Sequence, residues 1–114
     1  MKQLISMLLF GFCISSQVFA GSIGYSKVIQ VRTDQGGLGM VVFDQLISGS
    51  PGCINATAYA NAFSFNSNTA GGKAIMAMAL TAKATGAIIA VYGTGACGNY
   101  GGAHVEDWSY GVMQ

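Results

Sequence analysis

Apolar and polar positions alternate in places from Ile23 to Arg32, with Val28, Gln30 and Arg32 set against Ile29 and Val31, the period-two pattern of a half-buried strand. Asp34-Gln35-Gly36-Gly37 is turn chemistry, and Leu38 to Ile47 is the expected hairpin partner. Ser48-Gly49-Ser50-Pro51-Gly52 reads as a loop leading to Cys53, and Tyr59 to Phe65, with Phe63 and Phe65 on one face, as a third strand. The pattern then changes. Asn68 or Thr69 offers an N-cap, Ile75 to Ala84 is a run of good helix formers, and Gly86 stands where a C-terminal glycine belongs. Ala87 to Tyr92, closed by Gly93, is a short apolar run of buried-strand type, and Val105 to Val112 supplies a fifth strand.

The order strand, strand, strand, helix, strand, strand predicts a mainly β architecture. It is that of an OB-fold-like five-stranded barrel with its helix between the third and fourth strands. An α+β roll, with the helix on an open antiparallel sheet, uses the same elements and is the alternative.

The first twenty residues have the layout of an export signal: Lys2, an apolar stretch from Leu4 to Ile14, and Val18-Phe19-Ala20 before Gly21. The apolar stretch is shorter than the roughly 20 residues that span a bilayer and ends in Ser15, Ser16 and Gln17. Phe10-Gly11-Phe12 before Cys13 does not make a lipobox, so Cys13 is expected to leave with the signal. Residues 21–114 then form one domain of about 94 residues, secreted or periplasmic, with no membrane segment after cleavage. A core of that size is only marginally stabilising, and Cys53 and Cys97 are the one pair left to bridge in an oxidising compartment. Closing that loop is worth about 3–4 kcal/mol on the loop-entropy model.

Charge excludes one class of partner. Lys27, Arg32, Lys73 and Lys83 balance Asp34, Asp44, Glu106 and Asp107 without any basic cluster, so nucleic acid is not expected. Gly93-Thr94-Gly95-Ala96-Cys97-Gly98 matches G-x-G-x-x-G after a strand, but Asn99-Tyr100-Gly101-Gly102 continues as loop where a dinucleotide fingerprint must open a helix. Gly71-Gly72-Lys73 lacks the other P-loop positions, since Ser67 and Ala74 stand where glycine and Ser/Thr are required. His104 is the single histidine and reads as a solvated loop residue. With both cysteines committed, no metal site or cofactor is expected. Glu106 and Asp107 are adjacent on a strand and face opposite ways, so they do not make an acid/base pair; Asp34 and Asp44 belong to turns and strand ends.

Two surfaces remain as candidates. Around the helix, Ile75, Met78, Ala79 and Ala82 make one apolar stripe and Met76 and Leu80 another, more than one buried face requires. The surplus points either to a homo-oligomer interface built on Ile75, Met76, Met78 and Leu80 or to a helix sunk into its own barrel. Neutral secreted binding surfaces rely on aromatic faces and amides, which marks Asn99, Tyr100, Trp108 and Tyr110 as the expected ligand-binding residues.

The segments Asn68-Thr69-Ala70-Gly71-Gly72-Lys73-Ala74, Leu80-Thr81-Ala82-Lys83-Ala84-Thr85-Gly86, Val91-Tyr92-Gly93-Thr94-Gly95-Ala96-Cys97 and Val105-Glu106 resemble a group of small exported bacterial proteins of unknown function. The layout of helix, Thr-Gly end, apolar strand and following cysteine also loosely resembles the B subunits of subtilase-cytotoxin-type AB5 toxins. That likeness covers roughly the last half of the domain and concerns layout more than motif, and no glycan-contacting residue of that family maps onto a position here. It implies an OB-fold, a pentamer and glycan binding. The expectation is a non-enzymatic binding module, oligomeric and B-subunit-like, for a glycan or surface ligand; the alternative is a periplasmic structural or inhibitory protein that binds another protein.

If Cys53 and Cys97 are bridged, alkylation of the exported protein should leave its mass unchanged until a reductant is added and then add two alkyl groups per chain. Two thiols reactive without reductant would remove the bridge.

Overall fold

The segment read as one first strand is two, β1 (Ser22–Ser26) and β2 (Val28–Thr33), hinged at Lys27 in this computed structural model, which describes residues 20–49, 57–101 and 104–114. The break has a local cause. The Lys27 N–H donates to Asp44 Oδ1 at 3.0 Å and its carbonyl accepts from the Asp44 N–H at 3.1 Å. Asp44 thus takes both main-chain groups of Lys27, and the strands on either side turn to different neighbours.

β2 forms an antiparallel hairpin with β3 (Leu38–Phe43), as the turn residues predicted. β4 (Ala62–Asn66) follows a single 3-10 turn at Thr57–Tyr59 and pairs antiparallel with β3. After helix α1 (Ala70–Thr85) come β5 (Ile89–Gly93) and β6 (Glu106–Met113). The sheet order is β1-β5-β6-β4-β3-β2, with β4 and β6 parallel and every other pair antiparallel. Its two edge strands are neighbours in the chain, so the sheet curls until its ends meet at Lys27. The architecture is a mainly β curled barrel with one helix. Six strands replace the expected five, and the helix lies between the fourth and fifth because the first strand is broken. Counted as one bent strand, β1 and β2 restore the expected order of elements along the chain. An open antiparallel roll would have neither the parallel pair nor the joined edges.

Inside the curl, Phe43 meets Phe63 edge-on with centroids 6.2 Å apart and lies 6.1 Å from Trp108. Val41, Phe65, Ile23, Ile89 and Val91 fill the space around them. The helix packs across β2, β4 and β6, sinking Ala79 and Ala82 and half-burying Ile75, Met76 and Met78 against the same core. Thr69 is the N-cap, its Oγ1 accepting from the Gly72 N–H at 2.9 Å, and Gly86 ends the helix in the left-handed region at φ 72°. On the outer face of β3 and β4 a smaller cluster of Met40, Ala62 and Val105 is covered by Val42, Tyr59 and Tyr100.

At Gly72 the helix presses on the end of β4, where a Cβ would come within 1.6 Å of the Asn66 carbonyl oxygen, whereas at Gly71 it would meet nothing within 4 Å. Helix propensity alone favours alanine over glycine by about 1 kcal/mol. Urea unfolding should therefore show Gly71→Ala stabilised by up to about 1 kcal/mol and Gly72→Ala destabilised by about 2 kcal/mol or more, the cost of overpacking against backbone.

Candidate functional site

A cleft of about 370 Å³ lies between the N-terminal half of α1 and the start of β6, with Phe65 and Trp108 at its base. Asn66, Thr69, Thr94, Asn99 and Ser109 supply amide and hydroxyl walls, and Asp107 the one carboxylate. A second cleft of about 260 Å³ shares Gly71, Ile75, Trp108 and Ser109 with the first and continues past Met78 to Tyr110.

One side of the larger cleft is built by Asp107. Its carboxylate accepts from Ser64 Oγ at 3.0 Å, the Gly98 N–H at 2.9 Å and the Asn99 N–H at 3.0 Å. Asn99 Nδ2 in turn donates to Ser64 Oγ at 3.0 Å, so the buried serine bridges strand and loop. Asp107 therefore organises the glycine-rich loop, and its charge is met by donors from the chain itself.

The four expected ligand residues divide. Asn99 and Trp108 line the larger cleft, and Trp108 and Tyr110 the smaller one. Trp108 is 6 % exposed and belongs mainly to the core. Tyr110 is open to solvent and stacks on Tyr92 with centroids 4.7 Å apart. Trp108 and Tyr110 would share a face on a regular strand, but Tyr92 pairs with Tyr110 while Gly93 pairs with Trp108. The extra residue, Ser109, is a bulge that turns the tryptophan inward and leaves the tyrosine outside. Tyr100 lies elsewhere: it packs in the smaller cluster and its hydroxyl donates to Asp34 Oδ2 at 2.6 Å. Asp34 also pairs with Arg32, at 2.7 Å from Nε.

Of the helix positions, Ile75 and Met78 line the clefts, Met76 rests against the core and Leu80 is half exposed. Cys97 is buried and disulfide-bonded; Cys53, its expected partner, lies outside the described residues. His104 is half-buried, its Nδ1 enclosed and without a hydrogen-bonding partner among the described residues, which corrects its reading as a solvated side chain. Its neighbour Val105 belongs to the smaller cluster and draws the loop inward. Glu106 and Asp107 face different groups: Glu106 is fully buried and accepts from the Gly21 and Gly95 N–H groups. No three of His, Cys, Asp and Glu converge among the described residues, and no described helix is long and apolar enough to cross a membrane. Phe65, Asn66, Thr69 and Ser109 were not among the expected ligand-binding residues; they meet only because β4, α1 and β6 do.

Comparison of the chain with protein-family models, with curated proteins and with solved structures finds no match.

Burial and the bond to Asp34 raise Tyr100 above the ordinary phenol value, and that bond, with Arg32, lowers Asp34 below the usual carboxyl range. Tyr100 thus lends stability that is complete below pH about 10 and lost as pH rises through its raised value. Asp34 lends stability present above the ordinary carboxyl range and lost as pH falls through its depressed value. The ultraviolet titration of wild type minus Tyr100→Phe should show a phenolate forming above pH about 10. Asp34→Asn should shift that step to lower pH, and an unchanged step would break the pair.

Proposed function

We propose that this chain is an exported, non-enzymatic binding module that holds a neutral, hydroxyl-rich ligand, a glycan, in the cleft between α1 and β6. The observation that carries this reading is the lining: aromatic side chains at the base, amide and hydroxyl groups around them, and a single carboxylate already satisfied by three donors. Sugars present apolar ring faces and a rim of hydroxyls, which such a lining complements by contact and hydrogen bonding without net charge. The non-enzymatic part rests on the described residues of the cleft: the hydroxyl bonded to its one carboxylate, Ser64 Oγ, is fully buried and does not line it. His104 does not line it, and Asp107 is engaged in holding the loop. The loose resemblance to toxin B subunits agrees with this reading at the level of layout.

A protein-binding role, in inhibition or assembly, is the second reading. Tyr92, Tyr110 and Val112, which are 39 %, 56 % and 45 % exposed, form an outward apolar face on β5 and β6 that favours it.

Clustered exported protein on a glycan array should show binding that persists at high salt, since several weak sites gain avidity when presented together. Ser109→Trp, at an exposed position on the cleft rim, should fill the cleft and weaken that binding at least tenfold while unfolding is unchanged. A blank array together with a specific protein partner lost on Tyr110→Ala would move the assignment to the second reading.

A further inference from the structure

Glu106 has no exposed surface, and its carboxylate sits at the start of β1. The nitrogen of Gly21 lies 3.2 Å from Oε1 and 3.0 Å from Oε2, and the Gly95 N–H donates to Oε2 at 2.8 Å. Space around the carboxylate is made by absent side chains. A Cβ on Gly21 would stand 2.6 Å from Oε1, and one on Gly93 would stand 2.0 Å from Oε2. No lysine, arginine or histidine acts on Glu106 among the described residues; the other charge that does is Asp107, which repels. Phe63 and Gly93, which border it from β4 and β5, carry no charge. A carboxylate this enclosed and bonded only by amide N–H groups lacks the cation that burial ordinarily demands.

The residue that touches it is the one that export processing would expose. Val18-Phe19-Ala20 precedes Gly21 in the layout of a cleavage site, Gly21 is buried, and Ala20 is exposed. We infer that the mature N-terminus is a built-in partner for this site: the α-ammonium group of Gly21 forms a buried ion pair with Glu106, so that removal of the signal completes the fold. Hydrolysis of the Ala20–Gly21 amide adds one water, the hydroxyl going to the Ala20 carbonyl carbon and the proton to the Gly21 nitrogen. At neutral pH that amine takes up a further proton. The nitrogen stays where it is, between two carboxylate oxygens, while its charge changes from zero to one. In the unprocessed chain the same contact is an amide hydrogen bond and the carboxyl, desolvated, is raised above its ordinary range. In the processed chain the ammonium holds it ionised, and Gly21 stays anchored through its carbonyl, which accepts from the Gly93 N–H at 2.8 Å.

The sign of the pH dependence follows. An α-amino group ordinarily titrates near pH 8, and pairing raises it in the folded state. Its contribution is complete below pH about 8 and lost as pH rises through the raised value.

The test compares the exported protein with its Nα-acetylated form, which keeps the amide geometry seen here and removes only the charge. Mass spectrometry should place the exported N-terminus at Gly21. At pH 7 the unfolding constant of the free-amine form should be at least tenfold smaller than that of the acetylated form. That advantage should shrink toward pH 10 and vanish in Glu106→Gln. If Glu106→Gln does not fold, the two wild-type forms and their pH dependence still decide. Equal stability of the two forms at pH 7, a difference that does not change with pH, or an exported N-terminus other than Gly21 would overturn the ion pair. A blank glycan array would leave it intact, since it does not rest on the cleft.

Discussion

A buried carboxylate, that of Glu106, ties the start of β1 and the loop after β5 to β6. Leaving Glu106 without partners would cost several kcal/mol, so the chain around it is arranged to supply donors and room. Gly21 and Gly95 give N–H groups, and glycine at 93 leaves the space the carboxylate occupies. Two consequences reach outward. The start of β1 is held against β5, which sets one edge of the curled sheet. The loop after β5 is fixed at its first turn, and that loop carries Cys97 and the Asn99 side of the cleft.

Asp107, the next residue, repeats the arrangement on the other side of the strand. Its three donors come from Ser64, Gly98 and Asn99, so consecutive acidic residues hold the first part of the loop after β5, at Gly95 and at Gly98–Asn99. The alternation of a strand is what makes this possible: adjacent side chains project oppositely, one into the closed junction and one toward the cleft. Two carboxylates adjacent in sequence are thereby each bonded to a different set of donors. The one acidic group in the cleft lining already has three donors from the chain itself.

What was legible in the sequence is what depends on neighbours in the chain. The Asp34–Gly37 turn, the Thr69 cap, the helix and its Gly86 end are all written within a few residues, and all are present. The break at Lys27 is not, because its cause is a side chain seventeen positions away. The parallel contact of β4 with β6, at Phe63–Glu106 and Ser64–Asp107, joins segments more than forty residues apart with no local signature. The bulge at Ser109 is subtler still. Alternation alone places Trp108 and Tyr110 together, and only the register against β5 separates them. Three of the four aromatic and amide residues expected at a binding surface border the clefts. Tyr100 does not, because Asp34 captures its hydroxyl across the sheet.

The same logic relocates the apolar surplus that the helix presented. A single amphipathic face would have left Met76 and Leu80 exposed, yet Met76 is half-buried against the barrel core alongside Ile75 and Met78, and Leu80 alone among the large apolar residues of α1 is half exposed. A curled sheet offers a helix a concave seat between β2, β4 and β6, so more than one stripe can be covered by its own domain. Part of the unburied apolar area lies on the convex face of β5 and β6, where Tyr92 and Tyr110 cover each other in part by stacking at 4.7 Å. Exposed aromatic pairs of this kind retain only part of the stabilisation that burial would give them, about 0.5–1.5 kcal/mol coming from the ring contact itself. Any partner that covered that face would gain the remainder by removing both rings from water.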